Sequence, residues 1–467
     1  MRRLWLVILL GGCTTVGPDY ERPAIQLPKA YPVAQAQTAA PVIEEEWWKL
    51  YSDATLDQLV ASARKSNADL RLAVARVREA EALARETNAA FYPDVIAGAS
   101  ATRSRFSNNV IPAPQAGVPQ TRSQYQLSAS TNFEVDFWGR YARASEAARA
   151  NMLGNRFDQD VVSLALAGGT AQVYFSLRSL DAQIAATRET LKTRDDYYAI
   201  VQRRSAAGLA SDLDVNQALG VRAEASAQLK ELVRQRALVE HLLGTLTGDL
   251  GLKITPGDLA QLPVPPVPPP GLPSLLLERR PDVRAAEANL IAANAQIGAA
   301  KAALFPRISL TGAFGGESDN LASLLSTGGR IWSIGFGLAL PIFTAGRLNA
   351  EIDATTARER QAVALYQKSI QTAFREVADA LTNIEQAAAS QSDLQTSVEA
   401  ATNALRLATR RYEVGYAPYL DILDAQRSLN VAQLLLIRNR QALLAASVDL
   451  MKALGGGWTD SEPLATN

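Results

Sequence analysis

From Tyr125 to Phe137 the chain alternates with a period of two. Tyr125, Leu127, Ala129, Thr131, Phe133, Val135 and Phe137 hold one register; Gln126, Ser128, Ser130, Asn132, Glu134 and Asp136 hold the other. This predicts a strand with one largely apolar face and one polar face. The pattern returns from Ile331 to Leu340, where Trp332, Ile334, Phe336, Leu338 and Leu340 alternate with Ser333, Gly335, Gly337 and Ala339. Each of these strands is preceded by a weaker one that starts after a proline, Pro93 or Pro306. The expected strands therefore cover about 94–105, 124–138, 307–315 and 331–341. Residues 106–121 and 315–330, rich in Asn, Pro, Gly and Asp, read as the loops joining each pair. Alternation sustained over about 10 residues suits a sheet on a soluble core, and it also matches a membrane barrel strand with lipid on one side and water on the other.

Between the strand pairs the period changes to that of a helix. Leu56, Leu59, Val60 and Ala63, then Leu70, Val74 and Val77, recur at helical spacing, predicting helix from Trp47 to about Ala90. No proline occurs between Pro119 and Pro256, or between Pro341 and Pro418. Residues 141–207 and 348–414 are dominated by Ala, Leu, Gln, Glu and Arg, all good helix formers. A helix of that length runs on the order of 100 Å. Each ends at a glycine, Gly208 or Gly415, which supplies a left-handed cap, and a further helix comes after it. These two positions are hairpin tips.

The chain is thus written twice. Pro93 and Pro306 lie 213 residues apart, while Gly139 and Gly346, and Gly208 and Gly415, are each 207 apart. The expected organisation is a signal sequence over 1–12, an extended Pro-rich arm over 13–46, a first repeat over 47–253 and a Pro-rich connector over 254–274. A second repeat over 275–455 and a tail over 456–467 complete it. The copies differ at their tips. Tyr412, Pro418 and Asp424 stand where the first copy has Ser205, Ser211 and Gln217, while Leu420 keeps its counterpart in Leu213.

Charge and composition narrow the function. The 47 basic and 47 acidic residues balance, so no basic field points to nucleic acid. One His and one Cys leave no material for a Cys/His metal cluster, a Cys-His dyad or a Ser-His-Asp triad. His241 lies on a helical pattern and reads as an ordinary helix residue. No cofactor motif is present, and an enzyme is not expected. Arg2-Arg3, the apolar run Leu4–Leu10 and Gly11-Gly12-Cys13 form a secretory signal that places Cys13 directly after small residues. No other stretch approaches the roughly 20 apolar residues of a membrane helix. A spanning chain without such a helix uses a closed barrel. Four strands do not close a barrel with a usable interior, so the chain is expected to assemble through its strands.

Several motifs carry a specific resemblance: Cys13 with Val16-Gly17-Pro18-Asp19-Tyr20-Glu21-Arg22-Pro23, and Glu46-Trp47-Trp48. Others are Arg279-Arg280-Pro281-Asp282-Val283-Arg284-Ala285-Ala286-Glu287, Leu304-Phe305-Pro306, Leu340-Pro341-Ile342-Phe343, Arg411-Tyr412 with Gly415, and Leu420 with Leu423-Asp424-Ala425-Gln426-Arg427. The chain resembles the TolC/OprM family of outer-membrane efflux channels, in its lipoprotein branch. The resemblance implies a mixed fold: a long-helix α-barrel continuous with a transmembrane β-barrel, four strands per chain, closed as a homotrimer. It implies acylation of Cys13, with Thr14 favouring sorting to the outer membrane. It implies docking onto a periplasmic adaptor protein and an inner-membrane pump of the RND type, with Gly208 and Gly415 marking the contacting tips. Leu420 and Asp424, on adjacent turns of one helix face, are the expected gate rings. Asp421, Tyr412, Arg411, Arg203, Asp212 and Asp214 are candidates for the tip contacts that hold the closed state. Ordinary capping is the plain alternative for this charge cluster. Type I protein secretion uses the same fold, and a lipid-anchored periplasmic adaptor is the remaining alternative.

Overall fold

The computed structural model describes residues 15–28, 31, 43–107, 119–267 and 276–457. The expected signal sequence, Cys13, parts of the arm, of the first strand loop and of the Pro-rich connector, and the tail from 458 onward lie outside the described residues. In chain order the elements are α1 (Ala54–Ser66), α2 (Ala68–Ala89), β1 (Asp94–Arg105), β2 (Thr121–Val135), α3 (Arg140–Ala206), α4 (Asp212–Thr247) and a single-turn α5 (Leu276–Arg279). The second half continues with α6 (Pro281–Ala302), β3 (Arg307–Ser318), β4 (Arg330–Ala339), α7 (Arg347–Glu413) and α8 (Tyr419–Ala453). The duplication is close in scale: α3 and α7 are each 67 residues long, and α4 and α8 have 36 and 35.

The helical stretch expected from Trp47 to about Ala90 is divided. A 3-10 turn covers Trp47–Tyr51, and α1 and α2 part at Asn67, whose backbone is extended. The Asn67 side chain accepts from the Asp69 and Leu70 amides and so starts α2, while its amide nitrogen donates to the Leu246 carbonyl. A capping side chain ended the helix where hydrophobic spacing carried no stop signal.

Contacts divide the chain into two compact units. One comprises the residues up to Pro23, Arg78–Gly154 and Glu287–Leu365, and it holds all four strands. They form one antiparallel sheet in the order β1-β2-β3-β4. Three of the four strands have bounds that differ from expectation. β2 spans Thr121–Val135 rather than 124–138, because Asp136 leaves the ladder to accept from the Ala142 amide at the start of α3. β3 runs on to Ser318, since Gly315 and Gly316 still pair with Ile331 and Arg330 although they carry no side chain to show alternation. β4 stops at Ala339, ahead of Pro341, which has no amide to donate. The same unit explains the Val16–Pro23 motif. Glu287, 2% exposed, accepts from Arg22 at 2.6 and 3.0 Å and from the Tyr20 hydroxyl at 3.1 Å, and Asp19 pairs with Arg143 at 2.6 Å. Two motifs more than 260 residues apart in sequence thus form one strap.

The other unit comprises Ala24–Val77, Asn155–Ala286 and the chain from Tyr366 onward. Its main core gathers Trp47, Trp48, Tyr51, Leu56, Tyr174, Phe175 and Leu444. Beside it, Asp181 accepts from Arg178 and Arg236, and Arg236 also reaches Glu240, which receives the Ile254 amide. Burying charge is tolerated here because each carboxylate is paired and hydrogen-bonded.

Candidate functional site

Two places in the molecule carry the chemistry that the sequence singles out, one in each unit. The first is the sheet. Residues directly opposite in an antiparallel ladder project to the same side. Asn132 pairs with Asp94 and Thr311, Ser130 with Ile96 and Ala313, and Ser128 with Gly98 and Gly315. Thr311 and Ser309 in turn pair with Gly335 and Gly337. The polar positions of β2 and the small positions of β4 therefore share one face. A Cβ at Gly335 or Gly337 would come within 2.6 Å of the Thr311 hydroxyl or 2.7 Å of the Ser309 hydroxyl, so only glycine lets those hydroxyls stand beside β4. The opposite face carries Val95, Leu127, Phe133, Leu310, Phe314, Ile334, Phe336 and Leu338, with Trp332 74% exposed. Along this sheet the outer edges of β1 and β4 have no partner strand among the described residues. At the helix end of β2, Glu134 accepts from Arg140 at 3.1 and 2.8 Å and does not stand free on the polar face.

The second place is the pair of helical tips. Both close on the same turn. Gly208 and Gly415 have φ of 71° and 80°, with open space where a Cβ would sit, so backbone conformation alone calls for glycine. The Leu209 and Tyr416 amides donate back to the Arg204 and Arg411 carbonyls at 2.8 Å, and the glycine amides to Ser205 and Tyr412. This is a Schellman arrangement, which satisfies carbonyls left over at a helix end.

Side chains then distinguish the tips. Tyr412, Tyr419, Ile422, Val201 and Ala218 form a buried cluster drawn from all four long helices. The Tyr412 and Tyr419 rings lie 5.7 Å apart, Tyr197 lies 6.4 Å from Tyr419, and the Arg204 guanidinium sits 4.7 Å from the Tyr412 ring. Burial, reinforced by the neighbouring Tyr412 and Tyr197, pushes the Tyr419 phenol up to about 12. Burial also lowers Arg194, which donates to the Val221 carbonyl.

The gate candidates fall around this cluster in different ways. Tyr412 is inside it. Leu420 is 58% exposed and its counterpart Leu213 is 65% exposed. Asp424 is exposed and paired with Arg427 at 2.7 Å, one turn on in the same helix. Asp421 lies exposed in the first turn of α8, and Arg411 is exposed next to the buried Tyr412. Arg203 donates to the Ala199 carbonyl of its own helix. Asp212 offers its backbone carbonyl to Asn216, and Asp214 forms a capping box with Ser211. Sequence reasoning missed Tyr197, which hydrogen-bonds Thr409 at 2.9 Å, and Arg194; nothing local marks either, because their partners are contributed by other helices. The Asp424–Arg427 pair, three residues apart, was readable from spacing.

A sheet with one polar and one apolar face, whose outer edges have no partner strand among the described residues, fits the class of membrane β-barrel proteins. Among the described residues no helix is long and apolar enough to cross a membrane. The chain belongs to the outer membrane efflux protein family, whose model matches residues 59–249 and 272–456. It is similar to the toluene efflux pump outer membrane protein TtgI of Pseudomonas putida, 37% identical over 98% of each chain. It is likewise similar to the outer membrane protein OprJ of Pseudomonas aeruginosa, 37% identical over 99% of this chain and 97% of that one. Among solved structures, the open state of the Neisseria gonorrhoeae MtrE outer membrane channel shares 29% identity and a TM-score of 0.84, covering 96% of this chain and 100% of that one. The protein is an outer-membrane efflux channel, in a family of transport proteins rather than enzymes. Efflux pump outer membrane proteins of this kind work with adaptor and inner-membrane pump partners.

Proposed function

We propose that three copies of this chain join their sheets edge to edge into a twelve-stranded barrel, a water-filled exit for small organic molecules. The observation that carries this reading is the register: it puts the polar positions of β2, Thr311 and Ser309 of β3 and the small positions of β4 on one face, and it leaves the outer edges of β1 and β4 without a partner strand among the described residues. Ser128, Ser130, Asn132 and Thr311 then line the lumen, and Trp332, Ile334 and Phe336 meet lipid. The helical tips form the closure. Leu420 and Asp424 project as threefold rings, and Asp421, Arg411, Arg203, Asp212 and Asp214 contribute contacts around them, with Tyr412 anchoring the tip from inside. Rings of three carboxylates favour cations. Gly208 and Gly415 mark the surface that meets the adaptor, the pump is of the RND type, and Cys13 carries the lipid anchor. The toluene pump to which the chain is similar supports small organic solutes as the cargo.

The face assignment is tested by single-cysteine labelling in intact cells. Ser130→Cys reacts with a water-soluble maleimide and Phe133→Cys does not; equal labelling of both sinks the barrel reading. The closure is tested separately. Asp424→Ala and Leu420→Ser raise single-channel conductance at rest and the uptake of large antibiotics, whereas Gln217→Ala leaves both unchanged. Wild-type values in the first two variants remove the gate assignment.

A further inference from the structure

The apolar face of the sheet carries charge in one place only. Register assigns to that face Val95, Ala97, Ala99, Ala101, Arg103 and Arg105 of β1 and the odd-numbered residues of β2. It adds Ile308 to Ser318 at even positions of β3, and Arg330 to Leu338 at even positions of β4. The only charged residues among these are Arg103, Arg105 and Arg330, and no carboxylate is present. All three lie at one end. Arg103 and Arg105 are among the last three residues of β1, and Arg330 is the first of β4, so all three adjoin the strand loops and not the helices. Arginine facing lipid is costly at the bilayer midplane and nearly free at the interface. Trp332 lies two residues inside Arg330 on the same face, as an interfacial belt residue does, which puts the arginines at headgroup level.

Their guanidinium groups are also available. Arg103, Arg105 and Arg330 are exposed. Among the described residues neither Arg103 nor Arg330 forms an ion pair with a carboxylate, and Arg105 makes a 3.3 Å bond to Gln120 but no ion pair. The nearby Glu317 is on the other face, where it accepts from Gln124 at 2.9 Å. The three arginines also sit on the two unpaired edge strands. In a barrel closed as proposed above, on which this step rests, each seam sets Arg103 and Arg105 of one copy beside Arg330 of the next.

With the helices on the periplasmic side, the loop end faces the outer leaflet. We infer that this arginine rim docks the phosphorylated glycolipid of the outer leaflet, its planar guanidinium forks gripping the sugar-linked phosphates. Charge complementarity selects that occupant, because arginine matches phosphate oxygens two at a time and has no acidic side chain to satisfy it here.

Native mass spectrometry of the full-length chain in detergent, with diphosphorylated lipid A, dephosphorylated lipid A or phosphatidylglycerol added, tests the site. Wild-type trimers should retain diphosphorylated lipid A in preference to the other two. The triple variant R103Q/R105Q/R330Q should retain it at least about tenfold less, with unchanged conductance showing that the barrel is intact. Should the triple variant fail to fold, Arg330→Gln alone should lower retention about threefold. Equal retention by variant and wild type, no retention by wild type, or equal retention of phosphatidylglycerol overturns the proposal while leaving the trimer standing. Spectra that contain only monomer remove the closed barrel instead; arginine-dependent retention by that monomer keeps the rim site, and arginine-independent retention overturns it.

Discussion

In the first copy α3 passes to α4 through Gly208, and in the second α7 passes to α8 through Gly415. The backbone solution is the same in both, down to the amides that return to Arg204 and Arg411. The residues just past each glycine differ. Ser211 caps α4 and locks Asp214 into a capping box, whereas Pro418 occupies the equivalent place with no side-chain cap, leaving Asp421 without that duty. Position 419 is a tyrosine buried at the centre of the tip, and its counterpart Asp212 is exposed. Duplication preserved the turn, which any hairpin of long helices needs, and released the side chains around it to diverge. Both tips share the buried cluster; the first adds a local cap to it, and the second supplies the central tyrosines in place of a cap.

That contrast yields graded expectations. Tyr419→Ala removes a buried ring touching Tyr412 and Tyr197 and should cost about 3–5 kcal/mol of local stability. Asp212→Ala should cost less than about 0.5 kcal/mol. Amide hydrogen exchange over the tip peptides measures both, and comparable losses would erase the distinction between the two tips. Gly208→Val and Gly415→Val should each cost about 1–2 kcal/mol, because the left-handed backbone strains any residue with a Cβ. Their near equality sharpens the claim that the turns are the same. Ser211→Ala should cost about 1 kcal/mol by loss of the cap. Pro418→Ser, which offers Asp421 a capping box, should change stability by under about 0.5 kcal/mol, since the new cap is offset by the greater freedom of the unfolded chain.

The smallest effect at neutral pH comes from the Tyr419 phenol. Its folded value of about 12 lies above the ordinary 10, so the neutral form is the one the fold favours. The stability this contributes is complete below pH 10 and is lost as pH rises from 10 towards 12. Tyr419→Phe should flatten that dependence while leaving exchange at pH 7 almost unchanged. A wild-type tip with constant protection from pH 9 to 12 would show that Tyr419 ionises without cost and is not packed as described.

Much of the fold was readable because its signals are local. Strict alternation over Tyr125–Phe137 needs only neighbouring residues to declare a two-faced strand, and a run without proline declares a long helix. Glycines at 208 and 415 announced the tips by residue type. Boundaries failed where a side chain or a ladder partner decided them. Asn67 divided one helix, Asp136 ended β2 early, and Gly315 and Gly316 continued β3 invisibly. At the tips, Leu420 and Asp424 could be named from spacing. The tyrosine cluster could not, because Tyr197 and Tyr419 come from different copies and meet only when the helices pack.

The duplication, the two-faced strands, the lengths of the helices and the positions of their turns were all set by the order of residues along the chain, since each comes from periodicity and from the conformational limits of single residues. Packing in three dimensions was needed to put the polar positions of four strands on one face, because register is a relation between strands and a slip of one residue would reverse it. Packing also closed Arg22 on Glu287 and buried Tyr419. Each of those depends on which groups lose water together, and that is settled only when distant segments meet.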